Sequence, residues 1–220
     1  MLNLHVVFAI DRAGLVGEDG ETHHGVFDVG FLRQTPNMQV LTPGSLAELQ
    51  DMMRWAVLKC DGPVAVRYPR GGDKGYIQSA WEADGSRLVT SHRQGKNATI
   101  VTYGTLLQNA MDAAALLADK GIETTVLRLL KVNPLPVQQI YDSLSQSHRV
   151  FVLEEVCTGS GIGQELAWKL SKLDGRCKTD CIDLGRNFVT HGSVDALHKA
   201  LGLDGAAVAK TIEEALKNEN

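Results

Sequence analysis

The chain has 220 residues, 44% of them hydrophobic and 22% charged, the composition of an ordinary globular protein long enough for one or two domains. Its 22 basic residues are outnumbered by 26 acidic ones, giving a net charge of −4, and no Lys/Arg cluster stands out. Nucleic acid and anionic membrane surfaces are therefore not expected partners, no stretch reaches the roughly 20 apolar residues of a membrane span, and the N-terminus reads as that of a cytoplasmic protein.

Residues 4–10 (LHVVFAI) form an apolar run with almost no alternation, predicting a strand covered on both faces in a parallel sheet. The run stops at Asp11 and Arg12 and opens into a loop carrying Glu18, Asp19, Glu21, His23 and His24, punctuated by Gly14, Gly17, Gly20 and Gly25. Such glycine density suits a backbone that turns tightly or approaches a ligand, although solvated surface loops share the composition. In open α/β sheets, ligands gather beyond the carboxyl ends of strands, which is where this loop should lie.

Residues 26–34 predict a helical turn or two, and 38–41 a second short strand. Ser45 with Glu48 three positions later is a capping box, followed by Leu46, Leu49, Met52, Met53, Ala56, Val57 and Cys60 at helical spacing. Residues 63–68 (PVAVRY) predict a third strand, ended by Pro69-Arg70-Gly71-Gly72 as sharply as Asp11-Arg12 ends the first. Arg12 and Arg70 thus leave one sheet edge on separate loops. Either alone suits a surface ion pair, but together they could form a bidentate site for a phosphate or carboxylate. Arg67, inside the strand, is expected in a structural pair. His23 and His24 are adjacent and should point in opposite directions, so one could face the site, where an imidazole near Asp19 suits proton transfer near neutral pH.

Residues 73–97 change character, mixing Gly75, Gly85 and Gly95 with charged residues, and predict an ordered connector with a hairpin or short strand. From 98 onward the rhythm is regular. Strands are expected at 98–103, 122–127, 149–153 and 179–184, and helices at 106–120, 134–145 and 163–173 and after Ser193 and Asp204, in one doubly wound sheet of four or five strands.

Gly159, Gly161 and Gly163 follow a strand and open a helix, but their GxGxG spacing is not the dinucleotide fingerprint, and Glu154-Glu155 would repel a pyrophosphate. A tight β-to-α turn is the preferred reading. Ser160 does not match a nucleophile elbow. Cys60, Cys157, Cys177 and Cys181 form no CxxC pair and are expected to be reduced. Cys177 and Cys181 should share one strand face, with no further zinc ligands evident nearby.

The segments FAIDRAGLVGEDGETHHGVFD, LTPGSLAELQDMM, DGPVAVRYPRGG and NFVTHGSVDALHKALGLDGAAVAKTI resemble the 1-deoxy-D-xylulose-5-phosphate synthases, thiamine-diphosphate enzymes of the transketolase superfamily. The likeness covers essentially the whole chain. It implies an α/β protein made of the second half of a parallel-sheet, pyrimidine-binding transketolase-like domain over residues 1–75, a connector over 76–96, and a doubly wound transketolase C-terminal domain over 97–220. The family joins pyruvate to glyceraldehyde 3-phosphate with loss of carbon dioxide, using thiamine diphosphate and Mg2+, in non-mevalonate isoprenoid synthesis. The resemblance assigns Arg12 and Arg70 to the substrate phosphate, Asp19 to substrate hydroxyl or carbonyl contacts, and His23 to the reacting centre as a hydrogen-bond and proton-transfer partner. It also implies a homo-oligomer, a dimer in the complete enzyme. The family's metal motif and cofactor-activating glutamate have no counterpart in the chain, and EEVCTGSGIG replaces an EEN-type stretch. The expectation is a fragment inactive alone, the alternatives being a non-catalytic assembly module or the second subunit of a split enzyme.

Overall fold

The computed structural model describes residues 3–72 and 78–218, so the first part of the expected connector lies outside the described residues. The chain builds two sheets. The first contains β1 (Val7–Ile10), β2 (Gln39–Leu41), β3 (Val64–Arg67) and β7 (Lys131–Asn133) in the order β1-β3-β2-β7. The second contains β4 (Val89–Arg93), β5 (Ala98–Tyr103), β6 (Thr124–Leu129), β8 (Arg149–Leu153) and β9 (Lys178–Ile182) in the order β4-β6-β5-β8-β9. Both are parallel except where β7 joins β2 and β4 joins β6.

Helices cover the sheets as the apolar spacing requires. In α2 (Leu46–Leu58), Met52 and Ala56 are buried and pack with Val64, Val66 and Trp81 on one face of the first sheet. The Ser45 hydroxyl accepts the Glu48 N–H at 3.1 Å, the cap read from the sequence. On the sheet's other face, Val29 and Leu32 of α1 (Asp28–Arg33) share one core with Val40 and Ala65, with Val101, Leu127 and Val150 of the second sheet, and with Leu166 and Leu170 of α5 (Gly163–Leu173). That core joins α4 (Val137–Asp142) through Ile140. The second sheet's far face is closed by α3 (Leu107–Ala118), α6 (Val194–Leu201) and α7 (Gly205–Lys217). Successive residues of β5 feed opposite cores, Ala98 and Ile100 one way and Val101 and Tyr103 the other, as the two-residue strand period dictates.

The expectation that the first strand is covered on both faces is wrong. β1 is the edge of its sheet, and Leu4, Val6 and Phe8 along one face are 61%, 41% and 40% exposed. A run of apolar residues records the capacity for burial and says nothing about which neighbours are present. Cys177 and Cys181 do turn to the same side, as expected: Cys177, immediately before β9, packs in the core shared with Val152 and α5, and Cys181, in register with Val152, lies against Gly163 of α5, although Cys177 is buried and Cys181 exposed.

The GSGIG segment is a tight turn, as expected. The Glu154 carboxylate accepts N–H bonds from Ile162 at 2.7 Å and Gly163 at 2.8 Å, and the Tyr103 hydroxyl at 2.9 Å. A carboxylate thus occupies the helix N-terminus where a pyrophosphate would bind, and a Cβ at Gly161 would overlap it. Burial pushes the Glu154 carboxyl up, against the downward pull of its bonded N–H groups. Because all three partners donate, Glu154→Gln sets an amide NH2 against one of them and should destabilise the fold by about 1–3 kcal/mol, measured by urea unfolding.

A buried ion pair ties the halves together. Arg128 on β6 donates from both terminal nitrogens to Glu48 on α2, at 2.6 and 2.9 Å, and both side chains are 0% exposed. Glu48 also accepts the N–H of Gly44 at 2.7 Å and of Ala80 at 3.2 Å. Burial and the Arg128 charge hold His92, beside the pair, below the usual imidazole range, so it faces the guanidinium as a neutral acceptor. Removing one partner strands a charge, and Glu48→Ala should cost about 3–5 kcal/mol in urea unfolding, with much of the loss recovered by Glu48→Leu/Arg128→Met.

Candidate functional site

Parallel pairing of β1 with β3, with Ile10 opposite Arg67, makes both chains leave the sheet at one edge. Asp11-Arg12 follows β1 and Pro69-Arg70 follows β3. The Ala13 N–H donates to Tyr68 O at 3.0 Å, which clasps the two loops together. Arg12 has φ +59°, in the left-handed region that non-glycine residues rarely adopt.

The glycines of the first loop meet the sequence reading. Gly14 and Gly25 exchange N–H···O bonds of 2.9 Å in each direction. A Cβ on Gly25 would overlap the Arg12 carbonyl, and one on Gly14, at φ +74°, would overlap the Glu155 carboxylate. Glu155 is held in turn by His198, whose Nε2 lies 2.6 Å from it. The loop is therefore braced by the second half of the chain.

Arg12 and Arg70 do converge on one anion, and that anion is Asp19. Arg12 Nε donates to Asp19 Oδ2 at 3.2 Å, and an Arg70 terminal nitrogen donates to Asp19 Oδ1. Arg12 also donates to Asp11 at 2.6 Å. The hydrogen bond from Arg12, with help from Arg70, holds the Asp19 carboxyl below the usual carboxylate range. A cavity of about 390 Å3 opens beside the arginines, walled by Leu46, Leu49, Tyr68, Pro69 and Thr105 and floored by the Pro43-Gly44-Ser45 turn. Charge at one end and aliphatic wall at the other suit a small phosphorylated or carboxylated molecule.

The two histidines separate as their adjacency predicts. His24 is the buried one: its Nδ1 accepts the Val16 N–H at 3.1 Å, so the ring proton sits on Nε2, which faces Thr190 O at 3.3 Å. It pins the loop to the second half. His23 is exposed, its Nδ1 bonded with Thr22 Oγ1 at 2.9 Å, and it is not among the residues lining the cavity. Arg67 makes the structural pair expected of it, donating to Asp28 at 2.7 Å and to Gly25 O at 2.6 Å. Sequence reasoning missed Tyr68, Ser45 and Thr105 as residues lining the cavity. Tyr68 carried a usable signal, standing between the strand and the Pro-Arg turn.

Two domain families match the chain. The transketolase pyrimidine-binding domain matches residues 2–72, and the transketolase C-terminal domain matches residues 88–208. The chain belongs to the transketolase family. Among curated relatives, the 1-deoxy-D-xylulose-5-phosphate synthase of Gloeobacter violaceus is 38% identical over 221 residues, covering 99% of this chain and 34% of the relative. That of Chlorobium luteolum is 37% identical over 216 residues, covering 96% and 34%. The chain thus spans about a third of the length of the relatives it matches. Among solved structures, a split-gene transketolase described as an inactive beta4 tetramer superposes with a TM-score of 0.79 and 26% identity, covering 96% of this chain and 67% of that one. A transketolase variant from Pichia stipitis, at 19% identity and a TM-score of 0.76 over 98% of this chain and 30% of its own, shares the fold. The family fixes the α/β architecture with parallel sheets, and no helix among the described residues is long and apolar enough to cross a membrane.

The occupied arginines give a test. Asp19→Asn frees two guanidinium groups without removing bulk, so it should raise the affinity for inorganic phosphate several-fold in a calorimetric titration. Because Asp19 is held ionised below the usual carboxylate range, mild acid down to about pH 5 should not reproduce the gain when sulfate is the probe.

Proposed function

We propose that this chain supplies the phosphate-binding end of the substrate site in a thiamine-diphosphate-dependent enzyme of the 1-deoxy-D-xylulose-5-phosphate synthase type, the condensation of pyruvate with glyceraldehyde 3-phosphate. The observation that carries this is the convergence of Arg12 and Arg70 from separate loops onto one carboxylate at the mouth of a cavity. Asp19 holds the place of the substrate phosphate. On binding, the phosphate takes over the two guanidinium groups, and the displaced carboxylate accepts from a substrate hydroxyl. The family resemblance gives His23, whose Nδ1 is bonded with Thr22 Oγ1, the part of proton-transfer partner to the substrate.

The described residues do not fit the diphosphate end of the cofactor. The one grouping of three potential metal ligands among them, His148, Asp174 and Cys177, offers one nitrogen, one oxygen and one sulfur, whereas Mg2+ takes oxygen ligands. This chain's part is accordingly binding, orientation and proton exchange, and turnover requires another polypeptide segment. The match to a split-gene transketolase chain favours a multi-subunit reading, in which the exposed apolar face of Leu4, Val6 and Phe8 is covered in the assembly.

Titration with glyceraldehyde 3-phosphate tests the site. Arg12→Ala and Arg70→Ala should each weaken binding about tenfold or more, the scale of hydrogen bonds to a charged group. Unchanged affinity in both variants would remove the proposal. With pyruvate, glyceraldehyde 3-phosphate, thiamine diphosphate and Mg2+, the purified chain should form no product above a blank, and product from the chain alone would contradict the need for a further segment.

A further inference from the structure

Away from the arginine site, at the amino-terminal edge of the second sheet, three side chains of different chemistry meet. His148 immediately precedes β8, Asp174 caps the carboxyl end of α5, and Cys177 immediately precedes β9. His148 Nδ1 lies 3.8 Å from Cys177 Sγ and 3.6 Å from Asp174 Oδ2, and the three donor atoms all lie within 4.8 Å of one another. We propose that these residues bind a zinc-class divalent cation.

One imidazole nitrogen faces both the sulfur and the carboxylate. A catalytic relay would engage the two ring nitrogens separately, as acid and base. Donors that share one focus are instead the arrangement of ligands around a common point. Tetrahedral zinc with its usual bond lengths would place nitrogen about 3.6 Å from sulfur and about 3.4 Å from oxygen, close to the separations found. Thiolate, imidazole and carboxylate together favour a borderline-soft ion, whereas Mg2+ and Ca2+ prefer oxygen. Three protein ligands leave the fourth position to water.

The surroundings hold the ligands in place. Cys177 is buried, and the His148 and Asp174 side chains are 18% and 12% exposed. The His148 backbone sits at φ +55°, fixed by its N–H to Ser145 O and by its own carbonyl accepting the Lys178 N–H, each at 3.1 Å. Tyr141 donates its hydroxyl to Asp174 Oδ2 at 3.1 Å, the kind of outer contact that orients a metal-binding carboxylate. Arg176 is the competitor. It donates to both Asp174 oxygens at 2.7 to 3.1 Å, yet its side chain is 71% exposed and can swing into solvent when a cation takes the carboxylate. Binding replaces the Cys177 S–H bond by a sulfur–metal bond and releases that proton to solvent. The site would tie the starts of β8 and β9 to the end of α5. Cys181, four residues on, takes no part, because its sulfur lies against Gly163.

The test uses the tag-free full chain, stripped with chelator and titrated with Zn2+, and with Co2+ as a spectroscopic probe. One ion per chain, a near-ultraviolet thiolate-to-cobalt charge-transfer band and a raised Tm with Zn2+ are expected. Cys177→Ser should abolish the band, His148→Ala should weaken Zn2+ binding about tenfold or more, and Arg176→Ala should strengthen it. Absence of the thiolate band in the unaltered chain would overturn the proposal whether or not the variants fold. A band that survives in folded Cys177→Ser would do so too, by assigning the metal to another cysteine.

Discussion

The buried pairing of Glu48 with Arg128 is the constraint from which the rest of the molecule follows. Two full charges at 0% exposure are tolerated only if their hydrogen-bonding capacity is nearly satisfied, and here the carboxylate accepts two guanidinium bonds and the N–H groups of Gly44 and Ala80. That geometry fixes α2 against β6 and, through Gly44, sets the turn that floors the cavity. The Thr42 N–H and hydroxyl donate to the carbonyls of Leu130 and Leu129 beside it, at 3.0 and 3.1 Å. Such a pair contributes less net stability than apolar packing would, but it tolerates no alternative arrangement of the two halves, so it specifies their relative placement.

The second sheet is accordingly a scaffold for a loop that belongs to the first. His24 reaches Thr190 O, Gly14 rests on Glu155, and the Cys157 N–H donates to Val26 O at 2.9 Å. Each contact crosses from the loop region to residues more than a hundred positions later. The candidate anion site is therefore built by the whole chain, although both of its arginines come from the first 70 residues.

Much of this architecture was legible in the sequence, for physical reasons. In the second sheet β5 and β8 are buried along their whole length and fall where the sequence pattern puts them. Helix starts carried their own caps at Ser45, Ser193 and Asp204, whose side chains accept the expected N–H bonds. The arginines were legible because abrupt Asp-Arg and Pro-Arg stops at parallel strand ends can only leave one edge. What escaped depends on partners distant in sequence. β7 is three residues long, too short for any period to register. The pairing of Glu48 with Arg128 spans 80 positions, and Glu48 already had a local explanation as a capping residue. Adjacency showed that His23 and His24 diverge, but which one turns inward is decided by Val16 and Thr190. The spacing of Cys177 and Cys181 marked their common side, but the meeting of Cys177 with His148 and Asp174 depends on other elements and left no local signal.

Asp19 shows how a residue expected at a site takes part in the electrostatics that build it. It was expected to contact substrate, and in the structure it is the counter-ion that keeps two converging guanidinium groups from repelling each other. Two like charges brought to one point need an anion between them, and a carboxylate on the same loop provides it at high effective concentration. On the proposed function a phosphate would have to displace that carboxylate, which lowers affinity while the loop stays ordered. An incoming phosphate carries more charge and a third oxygen, and can bridge both guanidinium groups where one carboxylate meets each through a single bond. Under that proposal, order in the loop and discrimination against weaker anions follow from the same three residues.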